Sequence, residues 1–329
     1  MLIFAVQCLL GKYCKANLIM LEKETISTNI NEEKGIGVVG AKLCLGSGKN
    51  GAQYGPDAMR KMGIIERISQ YAGVVDFGDI AQSEAVCDAQ SDPKLKYLEQ
   101  VAEFNHKLSD KVHEILEQER FSLILGGDHS LAIGSVSGSI RKFGDNLGLI
   151  WIDAHADINT DETSPTGNIH GMPIASLLGL GGKKLTDIAA NNRIAADKVM
   201  IIAARDIDSG EEQIIKQNGI SLLRMSQISQ DGIEETCNQV REIISGWGVD
   251  NIHLSIDIDS LDSTLVPGTG TPVADGLTID ELNRLIDTIM ATRKVKCADV
   301  VELNPMLDST DGTTQTTIDI VEYLVSKIN

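Results

Sequence analysis

Residues 147–157 read LGLIWIDAHAD. The first six are apolar without alternation, the pattern of a strand covered on both faces, and the run ends abruptly in Asp153, His155 and Asp157. A strand of that kind, with polar residues confined to its C-terminal end, belongs to an open parallel sheet that binds ligands along that edge. The design recurs. The run at 122–125 is followed by Gly126-Gly127-Asp128-His129-Ser130, the run at 252–257 by Ile258-Asp259, and the run at 298–302 closes on Glu302. Further apolar runs at 36–41, 74–77 and 199–204 bring the candidate strands to seven. Helical patterns lie between them, clearest at 94–118, where Leu98, Val101, Leu108, Val112 and Ile115 recur at spacings of three, four and seven. This alternation predicts an α/β fold, a three-layer α/β/α arrangement with a mostly parallel central sheet. No linker or internal repeat follows Gly35, so residues 35–329 read as one domain.

The chain has 29 basic and 47 acidic residues, a formal charge of −18. That excess repels phosphate backbones and anionic bilayers, so neither nucleic acid nor membrane is an expected partner. It suits a cationic ligand or metal ions. Six cysteines are scattered without a C-x-x-C pair, which reads as a reducing, cytoplasmic setting. The apolar run at 2–11 is far short of the ~20 residues of a spanning helix. It lacks the basic flank of a signal peptide. We expect residues 1–34 to lie outside the fold, with Met20 as an alternative start.

In extended chain, alternate residues point the same way. Asp153, His155 and Asp157 should therefore share one side, as should Asp257 and Asp259. Two carboxylates ~5 Å apart repel by roughly 3 kcal/mol at an effective dielectric of ~20. Four of them make six pairs, on the order of 20 kcal/mol, which exceeds the roughly 5–15 kcal/mol stability of a domain. Such a cluster needs cations or protons. Oxygen and nitrogen donors without thiolate suit manganese, with cobalt, nickel and zinc as alternatives. Two ions sharing a water lower its pKa toward neutrality and yield a hydroxide for an electrophilic carbon.

Gly46-Ser47-Gly48-Lys49-Asn50-Gly51 is a literal G-x-G-x-x-G. Its third glycine opens no helix, however; Pro56 and Asp57 mark the helix start instead. It reads as a plain glycine-rich loop, at the active site or on the surface. His253 stands four residues before Asp257, about 13 Å from the cluster at the usual strand rise, and reads as packed. His106 and His113 read as exposed or flanking residues of the 94–118 helix, and Cys44 and Cys297 as small buried hydrophobes.

The motifs GGDHS at 126, WIDAHADINT at 151, SPTGNIHGMP at 164, RDIDSGEE at 205, SIDIDSLD at 255, PGTGTPVADGLT at 267 and VELNP at 301 follow in order. With YGPDAMRKMG at 54, they resemble the ureohydrolase (arginase/agmatinase) family, nearest its bacterial-type arginases, over residues 35–329. The resemblance implies two manganese ions per subunit, one on His129, Asp153, Asp157 and Asp257, the other on Asp153, His155, Asp257 and Asp259. A hydroxide bridging them would attack the guanidinium carbon of L-arginine, giving L-ornithine and urea. Glu302 would hold the guanidinium, Asp157 would help pass the proton to the leaving amine, and His170 would act as proton shuttle. Asn159, Thr166 and Asn168 resemble the residues near the substrate carboxylate, and Asp208 and Glu211 those near its amino group. Thr166 stands where serine is commoner, and Ser263 follows Asp262 where proline is usual. Pro267-Gly268 reads like the agmatinase version of its loop, while Pro272-Val273 reads like the arginase version. The alternative is therefore an agmatinase or another guanidino-compound amidinohydrolase. The family also implies a homo-oligomer, a trimer or a hexamer.

Overall fold

The computed structural model describes residues 35–83, 92–190 and 192–328. The expectations about residues 1–34 and Met20 concern positions outside the described residues.

Eight strands form one sheet: β1 (Ile36–Lys42), β2 (Val74–Ala81), β3 (Phe121–Leu125), β4 (Leu147–Ile152), β5 (Val199–Ile202), β6 (Ser221–Leu223), β7 (Asn251–Asp257) and β8 (Val295–Val301). Their order is β2-β1-β3-β8-β7-β4-β5-β6, and every pairing is parallel. The expected three-layer α/β/α architecture is what forms, with a sheet parallel throughout rather than mostly so. One face packs against the helices Ile233–Gly246, Ile279–Met290 and Gly312–Val325, through Ile244, Leu285, Ile289 and Val321 among others. The other face packs against Leu98–Glu117 and Ala132–Phe143. β3, β4 and β7 have few or no exposed positions because both of their faces are covered. Among the described residues no helix is long and apolar enough to cross a membrane.

The departures from expectation have local causes. β6 escapes a pattern reading because it has only three residues at the sheet edge. β2 runs past Phe77 through a bulge: Val38 pairs with Asp76 and Gly40 with Asp79, and Gly78 absorbs the extra residue at φ +77°. The 94–118 helix starts later, at Leu98, since Tyr97 takes a left-handed φ of +54°. β5 and β8 stop short of Ala204 and Glu302 because Ala203 (φ +73°) and Glu302 (φ +68°) are left-handed and break the extended chain.

Candidate metal centre

β3, β8, β7 and β4 are neighbours at the middle of the sheet. The polar residues that follow them therefore meet, although they are far apart in sequence. Extended pleating does not gather them, contrary to expectation. The chain bends after Ile152, and Ile258–Ser260 is a 3-10 turn. Each bend is closed by an aspartate that accepts the backbone N–H two residues on: Asp128 Oδ1 from Ser130 (3.0 Å), Asp153 Oδ1 from His155 (2.7 Å) and Asp257 Oδ1 from Asp259 (2.7 Å). Such side-chain turns are what aspartate does at the end of a strand. They bring residue i+2 back toward residue i, which is the physical content of the D-x-H and D-x-D spacing.

The six candidate ligands come together. His129 Nδ1 lies 3.0 Å from Asp153 Oδ2, 3.2 Å from Asp157 Oδ2 and 3.2 Å from Asp257 Oδ2. His155 Nδ1 lies 3.3 Å from Asp153 Oδ1 and 3.2 Å from Asp259 Oδ2. Asp153 thus faces one histidine with each oxygen. Asp257 turns Oδ2 to His129 and commits Oδ1 to the Asp259 amide. All but His155 are buried. His129 Nδ1 is buried and makes no hydrogen bond despite its three carboxylate neighbours. Donors around an octahedral ion with ~2.1 Å bonds sit about 3 Å apart. The orphaned nitrogen, the spacing and the oxygen–nitrogen donor set fit two divalent ions that share Asp153.

The electrostatics say the same. Burial penalises every charge here, yet the close carboxylates of Asp153, Asp157 and Asp257 favour the imidazolium and push His129 well above its ordinary value. Burial likewise opposes charge on His155, and Asp259 and Asp153 outweigh it and push the imidazole up. Asp153, despite burial, is held below the usual carboxylate range by the two histidines. Burial and the charge of Asp153 push Asp157 up to about 6. Burial and neighbouring aspartates also raise Asp257 and Asp259. The crowd of carboxylates demands positive charge.

A cavity of about 170 Å³ opens above the cluster. His170, Asn159, Thr166, Asn168, Asp208 and Glu211 all line it, as do His155, Asp157 and Asp257. A larger cavity, about 350 Å³, lies at the opposite sheet edge near Phe121 and Val295, away from this chemistry. His170 Nδ1 stands 3.4 Å from Glu302 Oε1. Burial opposes charge on His170, and Glu302 raises it. Glu302 in turn is buried but held low by His170. Asp157 (φ +48°) and Glu302 are left-handed non-glycine residues, a strain the surrounding packing must hold. Asn159 donates to Asp208 Oδ2 at 3.0 Å, and Asn168 donates to Ser47 O and accepts from Lys96 Nζ, both at 3.0 Å. Thr166 is exposed, and its hydroxyl accepts the Asn168 N–H. Glu211 is buried and accepts the amides of Ile158 and Asp208, while burial pushes its carboxyl up to about 7.

The glycine-rich loop at 46–51 does not line the cavity but packs behind residues of the site. Asp128 Oδ2 accepts the Gly46 and Ser47 amides, and Gly46 O accepts the His170 amide. A Cβ on Gly46 would stand 2.2 Å from Ser130 Oγ, so glycine here serves close packing.

Several residues of the site went unread in the sequence. Trp151 stacks on His129 (centroids 3.9 Å apart, 9° between planes), and its indole N–H donates to Asp153 Oδ2 at 2.9 Å. Ser255 contacts His129 Nε2 at 2.9 Å. Trp151 and Ser255 each stand two residues before a candidate ligand, and that spacing was an available signal. The Arg205 guanidinium donates to the carbonyls of Asp259, Ser260, Leu261, Val273 and Ala274 and so braces the loop that carries Asp259. Thr271 Oγ1 donates to Asp259 Oδ2 at 2.9 Å.

Comparison with known proteins meets this geometry. The model of the arginase family matches residues 34–326. The chain belongs to the arginase family. The arginase of Bacillus subtilis strain 168 is 39% identical over 297 residues, 90% of this chain and 99% of that protein. The native structure of Bacillus caldovelox arginase superposes with a TM-score of 0.85 at 37% identity, covering 90% of this chain and 98% of that one. Entamoeba histolytica arginase in complex with L-ornithine gives 0.83 at 28% identity, covering 88% and 98%. A hypothetical agmatinase from Burkholderia thailandensis, at 23% identity and 0.69, shows the shared fold alone. Within the arginase family, then, this chain is a metal-dependent amidinohydrolase with both histidine–carboxylate lobes formed.

His253 is packed, as its position suggested, but within a polar seam: Nε2 lies 2.9 Å from Asp299 Oδ2 and Nδ1 2.9 Å from Ser139 Oγ. His106 is exposed and His113 half-buried on its helix. Cys44 and Cys297 are buried and free, as is Cys237.

Proposed function

We propose that this chain is an arginase, cleaving L-arginine to L-ornithine and urea with two manganese ions per subunit. The observation that carries the reading is the orphaned, buried Nδ1 of His129 facing three carboxylates beneath a polar cavity. Relatives named arginase, at 37–39% identity over about 90% of the chain, support it.

Asp153 and Asp257 would be shared by both ions, His129 and Asp157 completing one set and His155 and Asp259 the other. When bound, the pair supplies a nucleophilic water that ionises near neutral pH. Glu302, buried beside His170, would anchor the guanidinium by charge-assisted hydrogen bonds. Asp157 would relay the proton of the attacking water to the departing amine. His170, at the rim and partly exposed, moves protons between Glu302's neighbourhood and solvent. Asn159, Thr166 and Asn168 present amide and hydroxyl donors to the substrate carboxylate, and Asp208 and Glu211 acceptors to its amino group.

Residues 35–329 act as one catalytic unit in this reading. The protein works in the cytoplasm as a homo-oligomer, a trimer or a hexamer, and free buried cysteines fit a reducing compartment. The deciding experiment follows metal analysis with parallel urea-release assays on arginine and agmatine. Faster release from arginine is expected; faster release from agmatine replaces this reading with an agmatinase.

A further inference from the structure

Behind the metal centre, between the sheet and the helix Ala132–Phe143, lies a buried polar seam. Ser255 and Asp299 are register partners on β7 and β8, and His253 pairs with Cys297 one row below. Asp299 is fully buried. Its Oδ2 receives Ser135 Oγ at 2.7 Å, His253 Nε2 at 2.9 Å and Ser255 Oγ at 3.4 Å. Ser255 Oγ also meets His129 Nε2 at 2.9 Å.

The direction of these bonds matters. A carboxylate only accepts, so the Ser255 hydroxyl donates to Asp299 and keeps its lone pairs for His129. The proton on the His129 ring is then required at Nε2, which leaves Nδ1 bare toward Asp153, Asp157 and Asp257. A metal-ligating imidazole needs that tautomer, and the bond made by its other nitrogen sets it.

We propose that Asp299 is a positioning residue for the metal centre. Acting through Ser255, it fixes the tautomer and plane of His129, and His253 and Ser135 hold its carboxylate in place. The proposal rests on the metal-centre reading above and adds residues that never touch an ion or substrate. It also accounts for a charged residue in the middle of an apolar strand.

The test uses the full-length chain, stripped with chelator and titrated with Mn²⁺ while free ion is followed by its paramagnetic resonance signal. Wild type should bind two ions. In Ser255→Ala and in the near-isosteric Asp299→Asn, one of the two should bind about 10- to 100-fold more weakly. Ser255→Thr, which keeps the hydroxyl, should restore wild-type binding. KM for arginine at saturating Mn²⁺ should not change. A purely structural role would instead lower the melting temperature equally with and without Mn²⁺, leaving both affinities intact. Wild-type affinity for both ions in Ser255→Ala, or in folded Asp299→Asn, overturns the proposal. Should Asp299→Asn fail to fold, the double variant His253→Leu/Asp299→Val replaces the ion pair by apolar volume and carries the same expectation. If that too fails to fold, Ser255→Ala decides alone, because Asp299 is proposed to reach His129 only through that hydroxyl. A wild-type chain that binds fewer than two ions would refute the metal reading itself, a separate result.

Discussion

Glu302 Oε1 accepts the backbone N–H of His129 at 2.8 Å. The carboxylate proposed to hold the substrate is thus tied to the loop that carries a candidate metal-ligating histidine. Substituting Glu302→Gln keeps an oxygen for that amide and removes the charge. Hydrogen bonds to charged groups contribute about 1.5–3 kcal/mol, so kcat/KM for arginine should fall roughly 10- to 100-fold. Manganese content should stay at two per chain. Steady-state kinetics beside metal analysis checks both, and an unchanged kcat/KM would remove Glu302 from substrate binding.

His170 faces that same oxygen from the cavity rim. His170→Asn should lower kcat by roughly 100-fold or more, the usual scale of lost proton transfer. Ion binding should be untouched, since none of the close histidine–carboxylate contacts of the cluster involves His170. Turnover at the wild-type rate would show that protons leave by another route.

Asp153 joins the two lobes, so ion loss should be concerted. Asp153→Ala is expected to lose both ions and all activity. In wild type, ions present at ~1,000 times their dissociation constant should add about 4 kcal/mol of stability each. Calorimetry with and without chelator should therefore show a drop of several degrees in wild type and none in Asp153→Ala. A variant that retains one tightly bound ion would refute the shared role.

The His253–Asp299 pair makes a prediction about pH. Burial opposes charge on His253, and the Cys297 sulfur and the Asp299 carboxylate overcome it, pushing the imidazole up to about 10. A raised folded-state value means that the proton stabilises the fold. That contribution is complete below about 6.5, the unfolded value, and fades as pH climbs through about 10. At ~1.4 kcal/mol per unit it amounts to a few kcal/mol. Urea unfolding of Mn²⁺-loaded protein at pH 7 and pH 10.5 should show this loss in wild type and a smaller one in His253→Gln. Parallel losses in the two proteins would mean that His253 is neutral in the fold.

The legible part of this protein was its strand ends. Uninterrupted apolar runs such as LGLIWI announced strands covered on both faces, and the residues after them announced the site. What could not be read was how those residues meet. Asp153, His155 and Asp157 gather through a side-chain turn and a left-handed backbone at Asp157, neither of which alternation encodes. Sheet order was equally hidden. Nothing local says that β8 inserts between β3 and β7, and only that insertion sets Asp299 beside Ser255. His253 shows the limit of arithmetic along a strand: its distance from the cluster marked it as inert packing, yet through Asp299 and Ser255 it reaches His129 by hydrogen bonds.

The interleaved strand order carries a consequence for biosynthesis. His129 emerges from the ribosome long before β7 and β8, and its partners across the sheet exist only when the C-terminal quarter has been made and threaded into the centre. A nascent chain halted before residue 257 lacks half of the carboxylates that would retain an ion. In the proposed reading, ion acquisition is therefore a late event, because the donor set is complete only once β7 has taken its place between β8 and β4.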